Sequence, residues 1–498
     1  MKYFFVVILC TTSIMNSLAQ NVANEFSDTA SLPSKAGRSR LAIDRTDLLV
    51  RQSTGPMVLL NSVQYVNSKT NLQLYKGRAT CIIYDGSIWL RKSGSTKGND
   101  AMISVSNRLN SYWERQYSGA VNVQWFGAKG DGLTNDLNAI QAAINYVCEA
   151  ANPAKFGSLS PRNGRPSTLY IPAGVYVLKE GELILPGAIR IEGDGGLSYA
   201  GTIIYQKSSN RNLFRLSFDT DGGSNCVQLE NIRLRGIGSG KPTASLIYGD
   251  SKSKIGYNSL HIKNVWFQGW EKYALNLEKG DDLQVTECVF DGATNQAFNL
   301  GLAYETASIV TNAAFTDNTF YEIRGGIGFL AHVDGFMFSH NRVYGTAEHI
   351  IPFVIDGVAY DAVNPNAVSI MNNRLNYANV LYRTKFGGFI VQGNIATNCT
   401  SRVIEIGGGG TVSNFQIRAN HFQGVWNGTV KIGKSVIPDA PIFAYGTKFS
   451  NAICDGIIDG KANSNSPILL TVDNPKTNIL NFVVTGFSKN APIIFDEK

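Results

Sequence analysis

A chain of 498 residues with 44% hydrophobic and 17% charged content is long enough to bury a large core and too apolar for a disordered chain. Its formal charge of +7 is a mild excess that suits an acidic partner without requiring one, and nothing in it points to nucleic acid. Only five histidines, with no HxxxH and no CxxC, leave the usual zinc and redox centres without ligands.

Residues 1–20 carry a single Lys2, an apolar run from Tyr3 to Cys10 and the small-residue exit Ser17-Leu18-Ala19-Gln20. That is the pattern of a secretory signal, and Cys10 lacks the preceding small residue of a lipoprotein signal. No later stretch has the apolar length of a membrane helix. The expectation is an exported chain, secreted or periplasmic, with no membrane span and no lipid anchor. Removing Lys2 leaves 44 basic against 38 acidic residues. The six remaining cysteines, Cys81, Cys148, Cys226, Cys288, Cys399 and Cys454, are too scattered for a disulfide framework.

Residues 21–46, which include SLPSKAGRSR, read as a flexible leader. In 47–118 short apolar runs (48–50, 57–60, 80–84, 88–90) alternate with Gly, Asn and Lys turns and end in Tyr112-Trp113-Glu114-Arg115, a small β-rich module whose aromatic residues serve packing before sugar binding. A strand through Val121, Val123 and Trp125 then runs into a Gly-rich turn. Thr134, Asn135 and Asp136 supply N-cap oxygens for a helix with Leu137, Ile140, Ile144 and Val147 on one apolar stripe.

The motifs FGAKGDGLTND (126–136), YIPAGVY (170–176) and IEGDG (191–195), in this order and spacing, resemble the pectate-lyase-like right-handed parallel β-helices, a superfamily of polysaccharide lyases, glycoside hydrolases and phage tailspikes. The resemblance implies an all-β fold, a right-handed parallel β-helix over 119–450 with an N-terminal capping helix, preceded by the small module and closed by C-terminal strands over 451–498. It also implies that Asp131, Asp136 and Asp194 are turn and cap residues. Pectate lyases bind calcium through clustered carboxylates. Here only 219–225, Asp-Thr-Asp-Gly-Gly-Ser-Asn, is calcium-like in composition, and it reads as a turn, so no cofactor or metal is expected. No family catalytic motif carries over to a position of this chain.

The body has an internal repeat of the form hydrophobic-x-x-slot-x-hydrophobic. The slot is Ile232, Val265 and Cys288, then Asn318, Asn341, Asn373, Asn394 and Asn420, at intervals of 33, 23, 30, 23, 32, 21 and 26 residues. Stacked inward asparagines can satisfy one another, so the slot is read as structural and Cys288 as a core thiol. Three residues past each slot comes an all-polar column of Arg235, Gln268, Asp291, Tyr321, Tyr344 and Asn376. The following turns hold Glu322, Arg324, Glu348 and His349, and the segments 303–314 and 356–366 are long enough to wall a groove, with Tyr360 and Asp361 at the second tip. Competing patches are Asp281, Asp334 and His332 on the turn before the ladder strand, and Glu271, Lys272 and Arg402 near the level of Glu348.

Three function classes follow. A lyase on a uronic-acid polymer needs its substrate carboxylate neutralised, a base for the C5 proton and an acid for the leaving oxygen. Arg324 fits the first role, Tyr344 or His349 the others, and Glu348 can orient the histidine. A glycoside hydrolase needs paired carboxyls, for which Asp291, Glu322 and Glu348 are candidates. A non-catalytic glycan-binding or tailspike-like adhesin would use the same column as a binding face. Substrate contacts are expected from Tyr321, Tyr360, Asp361, Arg402 and Lys272. The lyase reading leads on charge and resemblance; the partner is then an acidic polysaccharide, and the chain a monomer or homotrimer.

Overall fold

A computed structural model describes residues 41–495 apart from excluded stretches, the longest being 52–56, 95–103, 150–167, 217–225, 251–255, 303–308, 358–365, 471–478 and 488–493. The expected signal, nearly all of the leader, the 219–225 turn, Tyr360 and Asp361 therefore lie outside the described residues. The chain divides into two compact units, 1–119 and 120–498.

In the first unit, strands Gln64–Tyr65, Cys81–Tyr84, Ser87–Ser93, Ser111–Gln116 and Ser104–Asn107 form one sheet beside helix Lys69–Leu74. Trp89 and Trp113 are fully buried with Leu72, Ile82 and Val105, so these aromatic residues pack a core. The Arg115 guanidinium lies 4.5 Å from the centroid of the Trp89 ring and pairs with Asp85 at 2.6 Å.

The second unit is a right-handed parallel β-helix with three strands per coil. On the first face lie Gly280–Thr286, Val310–Thr316 and Val333–Ser339; on the second, Val289–Ala293, Thr319–Ile323 and Arg342–Tyr344; on the third, Phe298–Leu300, Gly328–Leu330 and Ile351–Asp356. The pairings between these coils are parallel, and register shifts occur only towards the two ends of the solenoid, as between Ala396 and Cys399. Right-handed crossovers follow from the twist of the strands. Aromatic residues stack through the core, with Phe267, Phe290 and Phe320 at 4.6 Å between successive ring centroids.

The corner between the first and second faces is where the repeat is built. The residue before the slot takes the left-handed conformation, as at Asn264, Glu287, Asp317, His340 and Asn372, with φ between 52 and 58°. The chain turns sharply there and points the slot residue inward. Asn318, Asn341, Asn373 and Asn394 have no exposed surface. Asn341 shows the pattern: its Nδ2 donates to Phe315 O at 2.9 Å and Asn373 Oδ1 at 3.1 Å. Its Oδ1 accepts from Asn318 N at 2.9 Å and Asn318 Nδ2 at 3.0 Å. The same links join Asn373 to Asn394 and Asn394 to Asn420. At the other end Cys288 N donates to Asn318 Oδ1 at 2.9 Å, and burial pushes the Cys288 thiol up to about 12.

The N-terminal cap differs in detail from the expectation. Val121–Asn122 is a strand, but residues 123–126 form a 3-10 turn, and Thr134 and Asn135 belong to the strand Asp131–Asn135. The helix runs from Leu137 to Glu149, with Ile140, Ile144 and Val147 buried. Asp136 does not cap it by side chain. Its carboxylate turns back to accept from Lys129 N at 2.7 Å and Gly130 N at 3.3 Å, while Asn135 Oδ1 reaches Leu137 N at 3.4 Å. Gly130, with φ of 62°, lets the Tyr176 ring of the PAGVY segment approach where a Cβ would lie 2.8 Å from it. Asp194 accepts from the Tyr170 hydroxyl and Ala173 N. Asp131, Asp136 and Asp194 are thus turn-fixing groups. Past residue 450, where strands were expected to close the solenoid, Ile453–Ser464 and Ile479–Phe487 add parallel rungs and extend it.

Asn341→Ala leaves Asn318 N without its acceptor and removes one of two partners from Asn318 Nδ2, which keeps Val285 O, and from Asn373 Oδ1, which keeps the backbone N of residue 341. Urea unfolding should show a loss of about 1–3 kcal/mol, the cost of one buried orphan, while Lys263→Ala, which removes only an exposed pair to Glu287, stays within about 0.5 kcal/mol of wild type. Hydrogen bonds from Thr134 N, Leu133 N and the Thr134 hydroxyl hold the Asp131 carboxyl at about 2, below its ordinary 3.8. Its contribution is therefore present above pH 3.8 and lost as pH falls through about 2. Acid unfolding curves of wild type and Asp131→Ala should converge at the low end.

Candidate functional site

Strand register brings the polar column together. Arg235, Gln268, Asp291, Tyr321, Tyr344 and Asn376 are successive register partners on the second face, each one rung of about 4.8 Å from the next. Tyr321 and Tyr344 stack at 5.4 Å between centroids. Gln268 Nε2 donates to Asp291 Oδ2 at 3.4 Å, and Gln268 Oε1 in turn accepts from Arg233. The Arg233 guanidinium is packed 3.9 Å from the Trp266 ring centroid and 4.8 Å from that of Tyr199, so Asp291 ends a relay fixed on aromatic surface.

The turn from the second to the third face carries the ionisable groups. Arg324 Nη2 donates to His349 Nε2 at 2.9 Å across one coil step. A guanidinium has only donors, so the imidazole nitrogen facing it is unprotonated and the ring proton sits on Nδ1. The His349 backbone is fixed by Thr346, whose Oγ accepts from His349 N at 3.1 Å. Glu348, expected to orient the ring, is exposed and bonds to no part of it among the described residues; Arg324 holds that place. Glu322 is exposed, in the left-handed conformation with φ of 46°.

The other sequence candidates separate. Glu271 is buried and accepts from Ser239 N, Ser239 Oγ and Lys241 N, the role of a loop anchor. Lys272 occupies the same turn two coils before Arg324, and Arg402 two coils after His349, with slots at Val265 and Asn394. Arg402 Nε donates to Glu405 at 2.7 Å. Asp281 and Asp334, both register partners of Thr311, begin strands on the first face rather than lying in a turn before it. His332 is buried.

The sequence pattern missed the outer surface of the third face. One residue of each strand there, the middle one in the three-residue strands, points away from the core, and the register line is Arg215, Tyr248, Asn276, Asn299, Phe329, Asp356, Arg383 and Glu405. Outward residues are ordinarily exposed. Here Asn276, Asn299 and Glu405 are all buried and Asp356 keeps only 3% of its surface, so these outward side chains are covered. Arg383 bridges Asp356 and Glu405, each at 3.2 Å. Asn299 Nδ2 donates to Asn276 Oδ1 at 2.9 Å and to Gly301 O at 3.3 Å, while its buried Oδ1 has no partner among the described residues. Burial also pushes the Tyr248 hydroxyl up, and it donates to Glu278 at 3.2 Å. A row of carboxamides, paired charges and an orphaned acceptor suits a chain of hydroxylated rings better than it suits an apolar ligand. Among the described residues no group of three or more His, Cys, Asp or Glu is placed to hold a metal ion.

Comparison with known proteins agrees with this architecture. A family model described as rhamnogalacturonase A/epimerase, pectate lyase-like, matches residues 120–350. A stretch of 80 residues is 40% identical to "Alginate lyase 7" of Azotobacter vinelandii; it amounts to 16% of this chain and spans 8% of that relative's length. Among solved structures, the A-module of the mannuronan C-5 epimerase AlgE6 of Azotobacter vinelandii superimposes with a TM-score of 0.50 at 18% identity, covering 74% of this chain and 96% of that one. DFA-IIIase from Arthrobacter chlorophenolicus A6 also gives 0.50, at 13% identity over 73% and 94%. At these identities the structural likeness establishes the fold.

Removing Arg383 leaves the buried Asp356 carboxylate without its cation. Arg383→Ala should cost about 3 kcal/mol in urea unfolding, at the low end for a broken buried pair because the guanidinium is partly exposed. Asp356→Asn in the same chain should restore part of that loss, giving a non-additive double-mutant cycle.

Proposed function

We propose that this chain, a parallel β-helix whose residues 120–350 match a pectate-lyase-like family model, is an enzyme acting on a uronate-containing polysaccharide by removing the C5 proton. The observation that carries the reading is the 2.9 Å contact from Arg324 Nη2 to His349 Nε2, which couples a cation to an unprotonated nitrogen on the turn between the second and third faces.

The chemistry asks for that pair. The C5 proton of a uronate becomes removable when the adjacent carboxylate is neutralised, because the departing electron pair is then stabilised next to it. A guanidinium matches a carboxylate with two parallel hydrogen bonds. When substrate takes Arg324 in this way, His349 Nε2 is released as the base. In β-elimination the electrons of the C5–H bond form the C4–C5 double bond, the C4–O bond breaks, and the leaving oxygen gains a proton, a role assigned to the Tyr344 hydroxyl. Return of a proton to the opposite face of C5 would instead invert the sugar. Both outcomes begin with one abstraction step, the chemistry named by the two Azotobacter relatives.

A hydrolase needs one carboxyl free to donate a proton. Asp291 lies in the Gln268–Arg233 relay, and Asp356 and Glu405 share Arg383, which leaves the exposed Glu322 and Glu348 as the carboxyls such a reaction would draw on.

On a panel of acidic and neutral polysaccharides, wild type should generate the ultraviolet absorbance of unsaturated uronates together with new reducing ends. His349→Ala should lower kcat/KM by about 10²–10⁴ and Arg324→Ala by about 10²–10³. Reducing ends without absorbance would overturn the reading in favour of hydrolysis and move the chemistry to Glu322 and Glu348.

A further inference from the structure

Of the solenoid arginines with no carboxylate partner among the described residues, Arg211, Arg233, Arg235, Arg324, Arg342 and Arg374, two stand side by side in register. Arg190 pairs with Glu192 and Glu230, Arg215 with Glu182 and Asp250, Arg383 with Asp356 and Glu405, and Arg418 with Asp455. Arg342 and Arg374 pair with nothing among the described residues. Both are exposed on the second face, and they are direct register partners, one rung of about 4.8 Å apart. Like charges placed opposite each other across neighbouring strands repel, and the arrangement brings the fold no compensating contact. Alongside them in the same strands run Tyr344 and Asn376, with Tyr321 stacked on Tyr344 and 43% exposed.

We propose that this part of the second face is a docking surface for an anionic polysaccharide that extends the reactive turn through the shared Tyr344. A polyanion lying along the solenoid axis relieves the Arg342–Arg374 repulsion by placing a carboxylate at each guanidinium. The rung spacing is close to the length of one pyranose ring, so charges repeated along a uronate chain can meet arginines repeated along the solenoid. Tyr321 and Tyr344 add ring surface and a phenolic hydroxyl each, the amphipathic combination that contacts sugars well. A second copy of this chain is a poorer occupant, because a symmetric contact brings the same cations together. The class of ligand rests on the acidic-glycan reading above, whereas the location does not. Such a surface would hold long chains near Arg324 and His349 and raise the effective concentration of their reactive units.

The test is binding of the whole chain to polymannuronate and polygalacturonate, with dextran as the neutral control and duplex DNA as a second polyanion, at low and high salt. The double variant Arg342→Glu/Arg374→Glu should lose about tenfold or more in affinity for the long polyuronates and most of the salt dependence, as expected for exposed charges. Arg342→Lys/Arg374→Lys should retain most of the affinity, and Arg324→Ala should still bind long chains while losing turnover. Unchanged affinity in the charge-reversed variant, with wild type binding and turning over polyuronate, overturns the docking surface and leaves the functional reading intact. If wild type binds no polyuronate at all, the acidic-glycan reading and the docking surface fall together. DNA binding as tight as polyuronate binding overturns the glycan assignment in favour of a general polyanion patch.

Discussion

From Asn318 to Asn420 each rung of this solenoid is fixed to the next at one corner, where the carboxamides of Asn318, Asn341, Asn373, Asn394 and Asn420 pass hydrogen bonds along the axis. The amide is the right group because it both donates and accepts. One side chain can satisfy the coil above, the coil below and a main-chain carbonyl at once. A slip of one residue at that corner would turn every second-face side chain to the opposite surface, so the ladder sets the register on which the polar column depends.

What stands on that register divides into two outward surfaces of different character. The second face is open: Tyr321, Arg342 and Arg374 meet solvent, and its arginines are in excess over carboxylates. The outward side chains of the third face are covered, and its charges are matched, Arg383 lying between Asp356 and Glu405. The turn between the two faces carries Arg324 and His349. A cation that repels its neighbour favours a mobile polyanion, whereas a buried charge already paired serves to hold shape. The division of labour between docking and chemistry follows from that contrast.

The asparagine slot was legible because one tight corner fixes its spacing to both flanking strands. Residues three past the slot, from Arg235 to Asn376, could be aligned with no knowledge of the fold, since no loop intervenes. The third face was not legible for the converse reason. Its outward residue lies eleven positions after Val265, Cys288, Asn318 and Asn394, but fifteen after Asn341 and ten after Asn373, so Asp356 and Arg383 fall out of any fixed-offset alignment. The intervening turn varies in length from coil to coil, and only strand pairing recovers the line. The Arg324–His349 contact was half visible: both residues were singled out by type and position, but their pairing across a coil step, and the exclusion of Glu348 from it, required coordinates. At the cap, Asp136 was correctly read as structural, but its carboxylate turns back onto the Gly-rich loop because Lys129 N and Gly130 N need an acceptor there.

The most direct test of proton abstraction is the fate of the C5 hydrogen of a polyuronate incubated with the enzyme in D2O and followed by NMR. Abstraction predicts that the C5–H signal disappears from processed residues, whether they emerge unsaturated or inverted with deuterium at C5. Cleaved products that all retain their original C5–H would contradict it, because hydrolysis leaves that bond untouched.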